Sequence, residues 1–223
     1  MAININQVYK SVLVVLQQQK RGVLTPVEFN KVATQAQQEI FIEYFDELNQ
    51  LLRQPQTSLA YADRYALLDE KIQIFKRVES LSTSATGTVT PTTAVQELGT
   101  VVYFATSTSE GREVQRIQAY EVYTTNQSPL TKPSTFYPVY TYENNVIQLY
   151  PTTIASGTND IQLNFLKYPS DVKWGFTIDT ELGNYIYNAQ SSIDFELHQS
   201  DEPMLVDKIL GYAGVMTRDQ LAL

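Results

Sequence analysis

Cysteine is absent from this chain of 223 residues, and histidine occurs once. Without thiols there is no disulfide, no thiolate metal site and no cysteine nucleophile. A single histidine, His198, removes most acid–base and metal constellations, because a catalytic base needs an orienting partner. It stands in Phe195-Glu196-Leu197-His198, just ahead of a helix cap, where a surface or capping imidazole is expected. The nine glycines are scattered, and Gly87, Gly99 and Gly111 form neither a phosphate loop nor a dinucleotide fingerprint. No serine lies in Gly-x-Ser-x-Gly, and neither His-x-x-x-His nor a dense Asp/Glu cluster offers metal-ligand spacing. We therefore expect no catalysis, no metal and no cofactor.

Long apolar runs are missing as well. Val12 to Leu16 falls far short of the roughly 20 residues that span a bilayer. Gln17-Gln18-Gln19 follows it, not a small-residue cleavage site, so no signal peptide is expected. Basic residues are in deficit, 16 against 24 acidic, for a net charge of −8. A chain whose main business is neutralising phosphates carries the opposite balance.

What remains is globular in texture, with 43% hydrophobic and 18% charged residues, enough for one generous domain or two small ones. Tyrosine is abundant, 15 against one tryptophan, which suits large contact surfaces with one wet end.

Residues 1–81 read as a helical bundle. A first helix is expected from about Asn6 to Lys20, with Val8, Tyr9, Val12, Leu13, Val15 and Leu16 at spacings of three and four. Asn4 or Asn6 would cap it, and Gly22 would end it. Thr25-Pro26-Val27-Glu28 combines a hydroxyl cap, an early proline and a third-position Glu. From there Phe29, Val32, Ala33, Ala36, Ile40, Phe41, Tyr44, Phe45, Leu48 and Leu52 trace one broad face until Pro55. A third helix, Ser58 to Leu81, is predicted from Tyr61, Tyr65, Leu68, Ile72, Phe75 and Val78. Lys76-Arg77 then answers the helix dipole, as Lys20-Arg21 does. Asp69-Glu70-Lys71 reads as a solvated helix face with local ion pairing.

Residues 82–190 read as a β-rich domain. Ser82 to Thr90 has linker composition. Strand-like runs follow at Val101–Phe104, Val114–Val122, Phe136–Tyr142, Val146–Tyr150 and Ile161–Leu166. Asn144-Asn145 is a hairpin turn, because Asn tolerates positive φ. Short strands at this spacing predict an antiparallel sandwich or barrel. Tyr137, Tyr140 and Tyr142 suit cross-strand packing better than a glycan or base platform. Residues 191–223 return to helix: Ser200-Asp201-Glu202-Pro203 opens one running to Gly214, and Thr217-Arg218-Asp219-Gln220 caps another. The fold class is α+β, with that closing segment packed on the helical part or on a neighbouring subunit.

The order of local phrases carries more. Arg21-Gly22-Val23-Leu24-Thr25-Pro26-Val27-Glu28-Phe29-Asn30 precedes a long helix with Ala33-Thr34-Gln35-Ala36-Gln37-Gln38-Glu39-Ile40-Phe41. Later come Ser128-Pro129-Leu130-Thr131-Lys132-Pro133 with Tyr137-Pro138, Ile147-Gln148-Leu149-Tyr150-Pro151, Leu166-Lys167-Tyr168-Pro169, and Lys173-Trp174-Gly175. Asp194 to His198 and Lys208-Ile209-Leu210-Gly211-Tyr212-Ala213-Gly214 complete the order. This succession resembles the head-to-tail adaptor, or connector, ring proteins of crAss-like and other podovirus-like tailed bacteriophages. It covers most of the chain, least at residues 82–100.

The resemblance implies a virion component at the head-to-tail junction, made in the host cytoplasm. It implies a homo-oligomeric ring of twelve copies bound to the portal and to further tail rings. DNA would pass through the lumen without sequence-specific contact, and no membrane would be involved. Subunit-interface residues expected on this basis are Pro129, Leu130, Lys132, Pro133, Trp174, Phe195, Leu197, Tyr212, Leu221 and Leu223. The Leu221 and Leu223 side chains have little chain near them to cover them, so docking on another subunit is expected there. Alternatives are another tail ring, a tail-tube or capsid accessory protein, and, more distantly, a glycan-binding β module.

Overall fold

The computed structural model describes residues 3–18, 24–53, 59–105, 110–152, 154, 160–179 and 183–214. The expected first-helix end at Lys20 to Gly22, most of the Ser156 to Asp160 turn, the Thr217 cap, Leu221 and Leu223 lie outside them. The fold is α+β, and the chain divides into two compact units, Met1–Ile74 with Pro169–Leu223, and Phe75–Tyr168. The second unit is thus an insertion into the first. The divisions fall at 74/75 and 168/169, not at the textural changes near 81 and 190.

In the helical unit, α1 (Ile5–Gln18) begins where three of its free N–H groups are met. Asn4 Oδ1 accepts from Asn6 and Gln7, and the Asp194 carboxylate accepts from Ile5. The second helix, α2 (Pro26–Arg53), starts on the predicted capping box: Thr25 Oγ1 accepts from the Glu28 N–H, and Glu28 Oε2 accepts from the Thr25 N–H. The Thr25 hydroxyl, which also donates to Glu28 Oε2 at 2.7 Å, and then the Thr25 N–H hold the Glu28 carboxyl below its usual value. Its inner face buries Phe29, Ala33, Ala36, Ile40, Phe41 and Tyr44. Helix α3 (Leu59–Gln73) lies against α2, and α5 (Glu202–Tyr212) lies against both α1 and α2. The closing helix does return to the helical part. Gly214, at φ +80°, provides the left-handed residue that ends it.

Gln37 shows how the unit holds a segment without any sheet. Asn30, Thr34 and Gln37 occupy successive turns of one α2 face. Residues 170–174 run along them in extended form. Asn30 bonds both the N–H and the carbonyl of Trp174, Thr34 bonds both groups of Val172, and Gln37 Nε2 donates to the Ser170 carbonyl. Gln37 Oε1 accepts from Glu196 N–H. Every second residue of the segment therefore finds a helix side chain in place of a neighbouring strand.

The inserted unit is a sandwich of two four-stranded sheets. One has the order β1 (Lys76–Leu81), β8 (Ile161–Lys167), β3 (Val95–Tyr103), β4 (Arg112–Glu113). The other has β2 (Thr88–Val89), β7 (Val146–Tyr150), β6 (Val139–Glu143), β5 (Gln115–Arg116). A shared core of Val89, Val101, Tyr103, Val114, Tyr140, Ile147, Leu149, Ile161, Leu163 and Phe165 fills the space between. Both sheets stay open, so the barrel alternative is not what forms. Pairing is antiparallel except between β5 and β6, which run parallel over two residues. Asn144 and Asn145 do form the β6–β7 turn, both with positive φ (50° and 62°).

Three sequence expectations change here. The third helix stops at Gln73, and Lys76–Leu81 is strand, paired along its whole length with β8. The spacing Ile72, Phe75, Val78 fits the helical period alone, and six residues of ladder with β8 override it. Lys76-Arg77 is accordingly on a strand and answers no helix dipole. The supposed linker at Ser82–Thr90 belongs to the sandwich: Thr83 is buried, its N–H and hydroxyl both bound by Asp160, and β2 closes the sheet edge. The Val114–Val122 run gives one two-residue strand, β5, a 3-10 turn (Ala119–Glu121) and the start of the short helix α4 (Val122–Gln127).

A small hairpin, β9 (Phe176–Ile178) with β10 (Tyr185–Tyr187), completes the helical unit. No helix among the described residues is long and apolar enough to cross a membrane.

Candidate interaction surface

The most exposed apolar side chains of the sandwich cluster on one connection, Gln118 to Pro138, between β5 and β6. Leu130 is 94% exposed, Tyr137 82%, Tyr120 79%, Tyr123 72% and Phe136 62%. The connection is built, not slack. Gln118 and Glu121 form a capping box on the 3-10 turn, and α4 follows directly. Tyr120 and Tyr123, three residues apart, project from the same side of that short helical stretch. Lys132 N–H donates to the Ser128 carbonyl at 3.0 Å and closes a tight turn with Leu130 at its tip. Buried Pro133 and Pro138 seat the return. Arg112 on β4 donates to the Phe136 carbonyl and lies 4.8 Å from the centre of its ring. Burying a leucine or aromatic side chain removes about 1.5–3 kcal/mol of unfavourable exposure, so five on one connection form a strong driving force for contact.

On the other sheet, the face turned away from the core carries an apolar groove lined by Arg77, Val78, Glu97, Gly99, Thr100 and Leu166. Val78 pairs opposite Asn164, and Lys76 opposite Leu166, so these side chains share the outer face. Gly99 lies within the bulged stretch of β3, where a Cβ would come within 2.9 Å of the Asn164 carbonyl. The missing side chain opens the groove floor. Val78 remains 62% exposed beside it.

The expected interface residues separate sharply. Pro129, Leu130 and Lys132 are exposed on the connection, and Pro133 is buried beneath it. Trp174, Phe195 and Leu197 are buried in the helical unit's own core, at 4%, 0% and 0% exposure. They offer no side-chain surface to a partner. Trp174 packs on Tyr9, Phe176 and Tyr187. Tyr212 is 44% exposed, its hydroxyl donating to Glu39. Of the sheet tyrosines, Tyr140 is in the core and Tyr142 packs beside it, whereas Tyr137 stands in solvent. Tyr120, Tyr123, Phe136 and the groove were not singled out from sequence. Tyr120 and Phe136 fall within runs that read as strand in the sequence, which the 3-10 turn at Ala119–Glu121 and the start of β6 at Val139 exclude.

Polar chemistry elsewhere has structural roles. His198 Nδ1 accepts from the Ser200 N–H at 3.3 Å, the capping position foreseen for it. Lys71 reaches Asp201 at 2.7 Å, and the Tyr44 hydroxyl donates to the same carboxylate, so Asp69-Glu70-Lys71 is not simply a solvated face. Burial, then this hydrogen bond, raises the Tyr44 phenol far above its usual value. Among the described residues, no three His, Asp or Glu side chains gather as a metal site. No known protein family matches the chain, and no curated protein is similar to it in sequence.

Proposed function

We propose that the chain is a structural subunit of a tailed-phage virion, one copy in a head-to-tail adaptor ring joining portal to tail around the DNA exit channel. The observation that carries this reading is the exposed apolar connection Gln118–Pro138. The phrases Ser128 to Pro133 and Tyr137-Pro138, part of the resemblance to adaptor rings, lie on that same stretch. A side chain as exposed as Leu130 at the tip of an internally bonded turn is what a subunit contact needs. The helical unit supports the reading as a stiff element: α2 is 28 residues, about 42 Å long. Most of the −8 charge sits on that unit, since Phe75–Tyr168 holds six Lys/Arg against seven Asp/Glu. An acidic helical wall would let DNA pass without gripping it.

The exposed tyrosines also favour a glycan-binding module as second reading. Glycan sites are concave, however, and neither the outer-face groove nor the hollow lined by Glu113 to Arg116 and Tyr140 includes Tyr120, Tyr123 or Tyr137. The ring is the better supported of the two.

Imaging of purified virions tests the proposal directly. A symmetric ring of this chain immediately below the portal is expected. Density for it in fibres, or decorating the capsid, rejects the adaptor assignment.

A further inference from the structure

We infer that neighbouring copies join head-to-tail through the β9–β10 hairpin, with β10 of one copy laid antiparallel along the free edge of β9 of the next. This rests on the ring reading and names its lateral contact. The hairpin is a sheet of two strands, and no third strand among the described residues pairs with either. Two bonds fix the phase of its ladder: Asn188 N–H donates to the Gly175 carbonyl and Asp179 N–H to the Asn184 carbonyl, both at 2.9 Å. Bonded pairs alternate along an antiparallel ladder, so Thr177 and Ile186 face inward to each other. Phe176 and Ile178 on β9, and Tyr185 and Tyr187 on β10, therefore turn their N–H and carbonyl groups outward. Both edges present main-chain donors and acceptors at the same two-residue spacing.

The pairing that the hairpin already makes selects a second copy as occupant. On its inner side β9 accepts β10, with Tyr185 opposite Ile178 and Tyr187 opposite Phe176. The same pairs repeated on the outer side set aromatic rings beside a β-branched and an aromatic residue, combinations that stabilise neighbouring strands. They also cover what one hairpin leaves bare. Ile178 is 60% exposed, Ile186 52% and Tyr185 48%, each with its cross-strand partner in place. The base of the hairpin is anchored, because Phe176 and Tyr187 both pack on Trp174. Neither strand contains a charged residue or a proline, two common guards of an exposed edge. Identical copies of a chain with net charge −8 thus bring no like charges together along these strands. Because one edge is β9 and the other β10, the contact is heterologous, the type that propagates around a closed ring.

The absence of cysteine makes the test clean. Ile178 and Tyr185 face each other within one chain, so a doubly substituted chain would close its own hairpin. Singly substituted full-length chains avoid this. A mixture of Ile178→Cys and Tyr185→Cys chains should give disulfide-linked dimers on mild oxidation, each holding one chain of either kind by mass. Neither variant alone should cross-link. Ile178→Pro removes an outward N–H and no bond within the hairpin, so multimers should vanish from native mass spectra while the melting curve stays in place. Self-cross-linking of the Tyr185→Cys variant alone would overturn the inference by setting β10 against β10. So would absence of cross-linking in the mixture. If virions nevertheless show the ring, only this contact is wrong; if they show none, the ring reading fails with it.

Discussion

Gln37 is a polar residue at zero exposure whose two side-chain bonds both reach across the helical unit. Replacing it with leucine keeps the volume and takes the Gln37 partner away from the Ser170 carbonyl and the Glu196 N–H. Removing a partner from a buried polar group costs about 1–3 kcal/mol, so Gln37→Leu should lower stability by about 2–5 kcal/mol. Urea unfolding will read this as a fall in midpoint. An unchanged midpoint would mean that water reaches both groups.

Tyr44 gives a pH prediction at the same scale. Its folded pKa lies well above the ordinary phenol value of 10.0, through burial first and the Asp201 hydrogen bond second. The folded chain keeps a proton that the unfolded chain releases, so this stabilisation is complete below about pH 10 and declines as pH rises beyond it. Tyr9, Tyr103 and Tyr140 are raised as well, with desolvation leading each time. Unfolding free energy should therefore be level near about pH 8–9 and drop above about pH 10. Tyr44→Phe should flatten part of that drop; an identical alkaline slope in the variant would remove Tyr44 as a cause.

At the scale of elements, two local devices are directly measurable. Removing the α2 cap with Thr25→Ala frees the Glu28 N–H and loosens the reciprocal bond, a cost of about 1 kcal/mol. Helix signal and thermal midpoint should fall together. In the β6–β7 turn, both asparagines hold positive φ. Asn145→Gly should be neutral or slightly stabilising, and Asn145→Val should destabilise by about 1–2 kcal/mol, because a β-branched side chain is strained there. A stability gain from valine would contradict the turn geometry. The third helix shows the limit of local reading: its apolar spacing continued through Val78, yet pairing with β8 took Lys76–Leu81 into a sheet.

At the scale of the molecule, the sandwich core is contributed wholly by residues 75–168. A fragment of those residues should fold alone, giving a β-type circular dichroism spectrum and one cooperative melt. A fragment without a cooperative transition would show that the insertion depends on the helical unit.

By itself the sequence determined the α+β class, the starts of α1 and α2, the strands β7 and β8, the Asn144-Asn145 turn and the capping role of His198. All of these rest on neighbours within a few residues, where capping, periodicity and positive φ act. Leu130, Pro129 and Lys132 were also legible as candidate contacts, through resemblance. Tertiary structure alone decided the rest. It turned Lys76–Leu81 into an edge strand, buried Thr83 on Asp160, and placed Trp174, Phe195 and Leu197 in the core. It also gathered Val78, Gly99 and Leu166 into a groove from three strands distant in sequence. Burial and strand partnership depend on which distant segments meet, and local spacing carries no record of that. For this reason apolar residues such as Trp174 and Leu130 read alike in the sequence, yet one is covered by its own chain and the other stands open to solvent.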